Sequence, residues 1–322
     1  MGAQITAFGS YKPENVVTNH FFEGKIDTND EWIRSRTGIK ERRFADKDEY
    51  VSDLCAKAAL DLSKRFDKSL DDVDFIIVAS ISAEHIMPSV ACQVQAKLEI
   101  PNAGGLDITA ACAGFVYAIQ MAQGLVEAGS YKKILVLGAE KLTNVVDMTD
   151  RATCILFGDA AGCCIVEPTT ENKILSNVSK SQGEDGYVLY LSEKATSLNG
   201  QPIEANNKLF QNGRKVFKWA ITTISKQIEE LCTKADLTLD DIDWLVPHSA
   251  NLRIIEGIAK SLNFPLEKTL ESVCLSGNTS SASIPLAFVN GLDAGKIKKG
   301  DKVLFIGFGG GLTYAGTIFE MV

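Results

Sequence analysis

The hexapeptide LDDVDF at residues 70–75 recurs, with conservative changes, as LDDIDW at residues 239–244. Each copy follows a stretch with the apolar spacing of an amphipathic helix and leads into a short apolar strand. The helical stretches are residues 51–66 and 216–234, and the strands are residues 76–79 and 245–246. Two copies about 170 residues apart exclude a solenoid, which needs several short repeats. They predict a chain of two similar α/β halves.

A second pair of segments extends the duplication. The sequence EAG, residues 127–129, followed by KILVLG, residues 133–138, recurs as DAG, residues 293–295, followed by KVLFIG, residues 302–307. Each copy has the pattern of a helix ended by glycine, a basic turn and a fully buried strand. Strands alternating with hydrophobic helices predict a layered α/β fold in which helices lie between sheets.

The boundary between the halves is predicted near residues 168–173. The N-terminal half is then residues 1–171, and the C-terminal half is residues 172–322. Two similar halves of this kind are expected to pack as pseudo-twofold mates.

The register of the duplication pairs Cys112 with Asn278. Cys112 lies 17 residues before Gly129, and Asn278 lies 17 residues before Gly295. We therefore expect both residues at the head of the central helix of their halves, where the two helix N-termini can converge on a shared site.

Composition restricts the function classes. The 322 residues are 45% hydrophobic and 23% charged, as in an ordinary folded protein. A net charge of −8 argues against broad nucleic-acid binding, and no apolar run is long enough to cross a membrane. No signal-peptide pattern opens the chain. The eight cysteines include no Cys-x-x-Cys pair, so we expect reduced thiols in a cytoplasmic protein and no zinc site.

Among these cysteines, Cys112 has the position of a nucleophile. It precedes residues 113–122, which have the apolar density of a buried helix. A thiol at a helix N-terminus faces unpaired N–H groups and the positive end of the helix dipole, which favour the thiolate. The alternative is a small hydrophobic residue that only packs. The adjacent Cys163 and Cys164 are expected to pack on opposite faces of a strand.

Two further polar residues stand at the ends of apolar segments. His248, one of three histidines, lies in VPHSAN, residues 246–251, where a strand becomes a loop. Asn278 lies in SGNTSS, residues 276–281, before the second central helix. Ligands bind at strand ends in open α/β sheets. The alternatives are a structural histidine and a helix-capping asparagine.

Together with the glycine run at residues 307–311, these three residues resemble the active site of thiolase-superfamily condensing enzymes, specifically the β-ketoacyl-acyl carrier protein synthase III family. The motifs that carry the resemblance are DTNDEWI (27–33), RTGI (36–39), DITAACAG (107–114), Arg151, FGDAAG (157–162), HSANLR (248–253) and GNTS (277–280). The resemblance covers the whole chain. It implies a thiolase-like, five-layered αβαβα fold built from two duplicated halves.

The resemblance implies an acyltransferase that initiates type II fatty acid biosynthesis. The Cys112 thiolate takes an acyl group from acyl-CoA, with the backbone N–H groups of Cys112 and Gly310 as oxyanion hole. Malonyl-acyl carrier protein then loses CO2, while His248 and Asn278 donate hydrogen bonds to the enolate. The carbanion attacks the acyl-enzyme and gives 3-oxoacyl-acyl carrier protein. Acyl-CoA is a substrate, and no metal or other cofactor is implied.

The binding residues follow from the same resemblance, as does a homodimer. For CoA they are Trp32 and Arg151 around the adenine, Arg36 at the diphosphate, and Thr28, Gly213, Phe217 and Asn251 along the pantetheine tunnel. The acyl pocket is formed by Met87, Phe157 and Leu312. Carrier-protein docking is assigned to Lys218, Arg253 and Arg214, whose alternative role is that of solvated helix residues.

The chain departs from the commonest family pattern at three places. It has His248-Ser249 where His-Gln is usual, and Leu312-Thr313-Tyr314 where many members have Phe and Trp. These two features are similar to the second synthase III paralogue of Bacillus-type bacteria. Met87 stands where many members have a phenylalanine that reaches across the dimer. A flexible methionine predicts tolerance of branched C4–C5 primers alongside acetyl-CoA.

Four other functions are alternatives to this one. Biosynthetic thiolase needs a second cysteine in the glycine-rich loop, and residues 307–311 have none. The elongating synthases use a second histidine where Asn278 stands. A non-catalytic partner subunit is expected to have lost the nucleophile. A secondary-metabolite homologue with an acceptor other than carrier protein stays open, and Lys218 and Arg253 favour carrier protein over it.

Overall fold

The computed structural model describes residues 1–322. Strands and helices alternate along the chain from Gly2 to Glu320. The strands are β1 Gly2–Tyr11, β2 Val16–Thr18, β3 Glu41–Arg43, β4 Phe75–Ala79, β5 Gly104–Ile108, β6 Ile134–Glu140, β7 Ala160–Thr169, β8 Ile174–Ser181, β9 Leu189–Leu191, β10 Ser197–Leu198, β11 Gln201–Pro202, β12 Leu209–Gln211, β13 Trp244–Pro247, β14 Lys302–Gly309 and β15 Thr313–Glu320. The helices are α1 Asp30–Thr37, α2 Val51–Phe66, α3 Val90–Lys97, α4 Gly114–Glu127, α5 Gly213–Trp219, α6 Ser225–Lys234, α7 Leu252–Leu262, α8 Val273–Ser276 and α9 Ser283–Asp293.

Two sheets carry the architecture. The first has the order β1-β7-β6-β4-β5, with β4 parallel to both β5 and β6. The second has the order β13-β14-β15-β8, with β13 parallel to β14. All strands of the first sheet precede residue 171 and all strands of the second follow it. The division at residues 171 and 172 therefore agrees with the sheets, and it stays a prediction because the central core joins the two halves.

The helices form three layers around these sheets. Helices α2 and α3 cover the outer face of the first sheet, and α6 and α7 cover the second. Helices α4 and α9 lie between the sheets because they are apolar on nearly every side. Their central core includes an aromatic cluster of Phe8, Phe288, Phe305 and Phe319. The result is the expected αβαβα layering.

The structure corrects the pairing of Cys112 with Asn278. Cys112 is the second residue of a 3₁₀ turn before α4, and the equivalent residue before α9 is Ser281. Both turns begin with a residue in the left-handed region, Ala111 at φ 46° and Ser280 at φ 48°. Helix α9 has 11 residues and α4 has 14, so counting back from the terminal glycine slips by three positions. Asn278 lies in the loop before its turn.

Two local predictions can be compared with the structure. Cys163 packs in the outer core and Cys164 in the central core, which confirms that they occupy opposite faces of β7. The helix predicted over residues 216–234 begins earlier, at Gly213, and is interrupted by a π-helical turn at Ala220–Ile224. Hydrophobic spacing does not reveal the extra residue of a π turn, because the apolar face continues through it.

Candidate active site

Cys112, His248 and Asn278 line one cavity of about 1430 Å³. The three come from different elements: the turn before α4, the end of β13 and the loop between α8 and α9. The parallel strands β4 and β13 end near this cavity, and the N-termini of both central helices point toward it. The duplicated topology thus brings together residues that are far apart in the sequence.

The position of Cys112 is set by close backbone packing. It is buried, and a Cβ atom on Gly309 would lie 2.9 Å from its Cβ and 3.0 Å from its Sγ. A Cβ on Gly307 would lie 2.9 Å from the Cys112 carbonyl oxygen. Burial raises the pKa of the Cys112 thiol to about 12. The N-terminal end of α4 acts in the opposite direction and favours the thiolate.

His248 is held as a neutral imidazole. It is 1% exposed, and its ring meets Phe308 edge-on with the centroids 5.3 Å apart. Its Nδ1 lies 2.7 Å from the Ser283 hydroxyl oxygen. Burial without an acidic partner lowers the His248 pKa to about 3. A neutral ring can donate one hydrogen bond and accept another.

The side-chain amide of Asn278 has a defined orientation. Its Oδ1 accepts a hydrogen bond from the Ser280 N–H at 2.9 Å, which leaves the Nδ2 group facing the cavity as a donor. Its backbone N–H donates to Leu156 O at 2.8 Å, and its carbonyl accepts from Gly158 N at 3.1 Å. Asn278 therefore fixes its own loop and does not cap α9, whose N-cap is Ala282.

An aromatic–cationic cluster stands at the rim of the cavity. The guanidinium carbon of Arg36 lies 5.1 Å from the centroid of Trp32, and that of Arg151 lies 5.0 Å from it. Arg151 also donates to the Asp27 carbonyl at 2.8 Å and to its carboxylate at 3.0 Å. A flat ring entering between Trp32 and Arg151 requires Arg151 to move away from the indole.

Most of the other expected binding residues also line the cavity. These are Gly213, Phe217, Asn251, Phe157, Gly310 and Arg214. Asn251 has a structural role as well, because its Oδ1 caps α7 and its Nδ2 donates to Arg36 O at 3.3 Å. Thr28 is outside the lining, and its hydroxyl is buried without a partner.

Besides Thr28, four more of the expected residues lie outside the lining. Leu312 is outside the lining because its side chain is buried against Val188 and Val216. Met87 is 85% exposed and does not line the cavity of its own chain. Lys218 lies on the last turn of α5. Arg253 is bound to Glu256 at 2.8 Å and to Ser35 O at 3.1 Å.

Sequence reasoning missed two residues of the site. Ser283 contacts His248, and Glu140 is a fully buried carboxyl at the end of β6. A charge two residues after the apolar sequence KILVLG could have identified Glu140, because an isolated buried carboxyl is uncommon. No such pattern distinguishes Ser283 from the three other serines in residues 276–283.

The structure assembles no group of three or more potential metal ligands. None of its helices combines the length and apolarity needed to cross a bilayer.

Comparisons with known proteins identify the family to which the chain belongs. The chain matches two models of 3-oxoacyl-acyl carrier protein synthase III, one over residues 106–183 and the C-terminal one over residues 232–321. It is 50% identical to β-ketoacyl-acyl carrier protein synthase III 2 of Halalkalibacterium halodurans, covering 99% of this chain and 96% of that protein. It is 48% identical to the protein of the same name from Bacillus subtilis, covering 99% and 98%.

The fold matches as closely as the sequence. The crystal structure of β-ketoacyl-acyl carrier protein synthase III from Thermus thermophilus superposes with a TM-score of 0.96 at 43% identity, covering 100% of this chain and 99% of that one. These relatives confirm the thiolase-like fold and the resemblance to the second Bacillus-type paralogue. The chain therefore belongs to the β-ketoacyl-acyl carrier protein synthase III family of condensing acyltransferases.

Proposed function

We propose that Cys112 carries an acyl group taken from acyl-CoA and passes it to a malonyl-acyl carrier protein. The observation that carries this proposal is the meeting of Cys112, His248 and Asn278 in one cavity at the head of α4. In the first step the thiolate attacks the thioester carbonyl, a C–S bond forms to Cys112, the C–S bond to CoA breaks, and the CoA thiolate takes up the proton that the Cys112 thiol lost. The backbone N–H groups of Cys112 and Gly310 stabilise the oxyanion.

The second step uses the two side-chain donors. Loss of CO2 from the malonyl group places negative charge on the thioester oxygen, and neutral His248 and the Nδ2 group of Asn278 donate hydrogen bonds to it. The carbanion attacks the acyl-enzyme carbonyl, and the Cys112 thiolate leaves. The product is a 3-oxoacyl-acyl carrier protein. Thiolate and hydrogen-bond donors suffice for these steps without a metal or redox cofactor.

The rim residues are proposed to bind the carriers of the two acyl groups. The Trp32, Arg36 and Arg151 cluster offers an aromatic face and two guanidinium groups to an adenine nucleotide. Arg214 and Lys218 of α5 make no ion pair and leave two cationic groups for acidic carrier protein. Arg253 is the weaker docking candidate, because Glu256 offsets its charge.

A second copy of the chain is proposed to cover the loop that follows β4. Ile86 is 90% exposed and Met87 is 85% exposed there, and the neighbouring strand β5 is an unpaired sheet edge. Exposed apolar side chains beside an open edge favour burial in a homodimer. Met87 would then contact the partner's acyl pocket, where its flexibility would admit branched C4–C5 primers.

All eight cysteines are free thiols, in accord with a cytoplasmic enzyme.

The experiment is to measure the intact mass after mixing with acetyl-, isobutyryl- or isovaleryl-CoA. We expect one acyl adduct on wild type, located on Cys112, and none on Cys112→Ala. Adding malonyl-acyl carrier protein should discharge the adduct and release a 3-oxoacyl product. Equal acylation of Cys112→Ala contradicts the nucleophile, and negligible branched adducts contradict the primer range. If the adduct persists after malonyl-acyl carrier protein is added but is discharged by another malonyl thioester, the protein uses the acceptor of a secondary-metabolite homologue.

A further inference from the structure

Glu140 is a carboxyl group enclosed by hydroxyl and amide groups. It ends β6 and is fully buried. Its Oε2 accepts from the Ile81 N–H at 3.1 Å, the Ser82 hydroxyl at 2.6 Å and the Ser80 hydroxyl at 3.2 Å. Its Oε1 lies 3.1 Å from the hydroxyl oxygen of Ser281.

The hydrogen atoms around Glu140 can be assigned. Ser82 accepts from the Lys141 N–H at 2.8 Å, so its own hydrogen is free for Oε2. The Ser281 hydroxyl oxygen lies 2.9 Å from the Ala79 carbonyl oxygen and 3.1 Å from Oε1, and its single hydrogen can serve only one of these two acceptors well. When that hydrogen takes the shorter contact, to Ala79, a proton on Oε1 completes the contact between Glu140 and Ser281. The geometry therefore favours Oε2 as the acceptor and Oε1 as the protonated oxygen.

No cation faces this carboxyl. The neighbouring ammonium of Lys141 is bound to the carbonyl oxygens of Asp46 at 2.6 Å and Glu49 at 2.8 Å. The titratable groups around Glu140 are the thiols of Cys112 and Cys55. Burial raises the pKa of Glu140, and an ionised Glu140 would raise the pKa of Cys112 further.

The duplication relates Glu140 directly to the nucleophile. An offset of 169 residues relates Gly138 to Gly307, Glu140 to Gly309 and Cys112 to Ser281. Gly307 and Gly309 pack against Cys112, and Gly138 packs against the Ser281 carbonyl in the same way. Glu140, whose carboxyl contacts Ser281, thus occupies the position that Gly309 occupies beside Cys112 in the other half.

The Ser280–Ser281 turn transmits this contact to Cys112. Ser280 is 1% exposed, its hydroxyl has no well-formed partner, and it neighbours both Cys112 and Glu140. A Cβ atom on Gly114, the first residue of α4, would lie 3.9 Å from the Ser281 side chain. The turn held by Glu140 therefore borders the head of the helix that presents the thiol.

We propose that Glu140 is a neutral carboxylic acid that positions the Ser280–Ser281 turn beside Cys112 without placing a buried negative charge next to its thiolate. The inference rests on the proposed role of Cys112 as nucleophile. Glu140 is a positioning residue, because it reaches the reacting sulfur only through the turn.

The test compares Glu140→Gln with Glu140→Ala, and exposed Glu193→Gln serves as the matched control. Gln can replace the protonated acid, with its oxygen accepting as Oε2 does and its amide donating to Ser281. At neutral pH the infrared spectrum of the wild type should contain a protonated carboxylic acid band that Glu140→Gln lacks and Glu193→Gln keeps. Absence of this band in the wild type overturns the proposal without any variant having to fold.

Site-resolved alkylation of Cys112 against pH gives a second readout. Glu140→Gln should leave the apparent pKa of Cys112 and the rate of acyl transfer from acetyl-CoA nearly unchanged, whereas Glu140→Ala should slow acyl transfer about tenfold or more. A lower Cys112 pKa in Glu140→Gln means that Glu140 is ionised and overturns the proposal. Full activity of Glu140→Ala overturns the positioning role. Failure of the nucleophile itself is recognised separately, by acylation of Cys112→Ala.

Discussion

His248 Nδ1 lies 2.7 Å from Ser283 Oγ, which joins the end of β13 to the first turn of α9. The Ser283 oxygen also accepts from the Ser249 N–H at 3.3 Å. Since that amide can only donate, the Ser283 hydrogen is free to donate to Nδ1. With that hydrogen on Nδ1 the remaining ring proton is on Nε2, so the contact with Ser283 favours the tautomer that the proposed role of His248 requires.

Ser283→Ala should therefore impair decarboxylation more than acylation. Without the hydroxyl, Nδ1 loses its donor and the Nε2–H tautomer is no longer favoured. Loss of one such hydrogen bond predicts a decrease in decarboxylation rate of about tenfold. The measurement is CO2 release from malonyl-acyl carrier protein, alongside acylation of Cys112 by intact mass. Ser176→Ala, which removes a buried hydroxyl bonded to Leu231 O, controls for general destabilisation. Equal losses in both steps contradict a role in the tautomer.

The layers of this fold are predictable from the sequence because each half repeats the same order of helices and strands. Helices α4 and α9 were recognisable because they are apolar on all sides, and that composition requires burial between sheets. The exact pairing of the halves was not predictable from counting. A difference of three residues between α4 and α9 moved the twin of Cys112 from Asn278 to Ser281.

Residues of the candidate site were predictable where the side chain itself can react or titrate, as with Cys112 and His248, which the structure brings to one cavity. The serines that orient them were not, because a serine in a polar turn has many equivalent roles. The protonation of Glu140 needs the three-dimensional set of donors around it, which no spacing in the sequence encodes. The exclusion of Leu312 from the cavity lining likewise depends on its packing against Val188 and Val216.

The low pKa of His248 predicts a flat pH profile for decarboxylation. With the pKa lowered to about 3, the ring stays neutral at every pH above that value, so its capacity to donate does not change through the physiological range. We expect CO2 release by Cys112→Ala, which lacks the titrating thiol, to vary little between about pH 5 and 8. A decrease in rate below pH 6.5 that follows one ionisation contradicts a neutral, fully buried ring.

Gly309→Ala should displace the nucleophile. Its new Cβ would lie 2.9 Å from the Cβ of Cys112 and 3.1 Å from its backbone nitrogen, so the turn at Ala111–Ala113 must shift. A misplacement of about 1 Å is expected to slow acyl transfer about a hundredfold. Stopped-flow acylation with acetyl-CoA measures the effect.

The control for this substitution is Gly124→Ala in the interior of α4. Nothing lies within 4 Å of a Cβ at that position, and the helical backbone accepts alanine. This variant should unfold at slightly higher denaturant, with a gain of about 0.4–1 kcal/mol, and should acylate normally. Unimpaired acylation of Gly309→Ala indicates that the glycine loop can move away from the thiol.

Trp32→Ala should weaken recognition of the nucleotide end of acyl-CoA and leave the thioester chemistry intact. Arg36 and Arg151 both face the Trp32 ring at about 5 Å. An adenine that enters this cluster replaces one of these guanidinium groups as the partner of the ring. A cation–π or stacking contact of about 0.5–2 kcal/mol predicts a loss in kcat/KM for acetyl-CoA of about two- to thirtyfold. An acetyl donor truncated to pantetheine lacks the adenine, so wild type and Trp32→Ala should use it equally.

The control is Phe21→Ala, which removes an exposed ring that faces Lys25 outside the cavity and should change neither rate. Equal losses of Trp32→Ala with both donors mean that Trp32 supports the structure of α1 and does not bind the adenine of CoA.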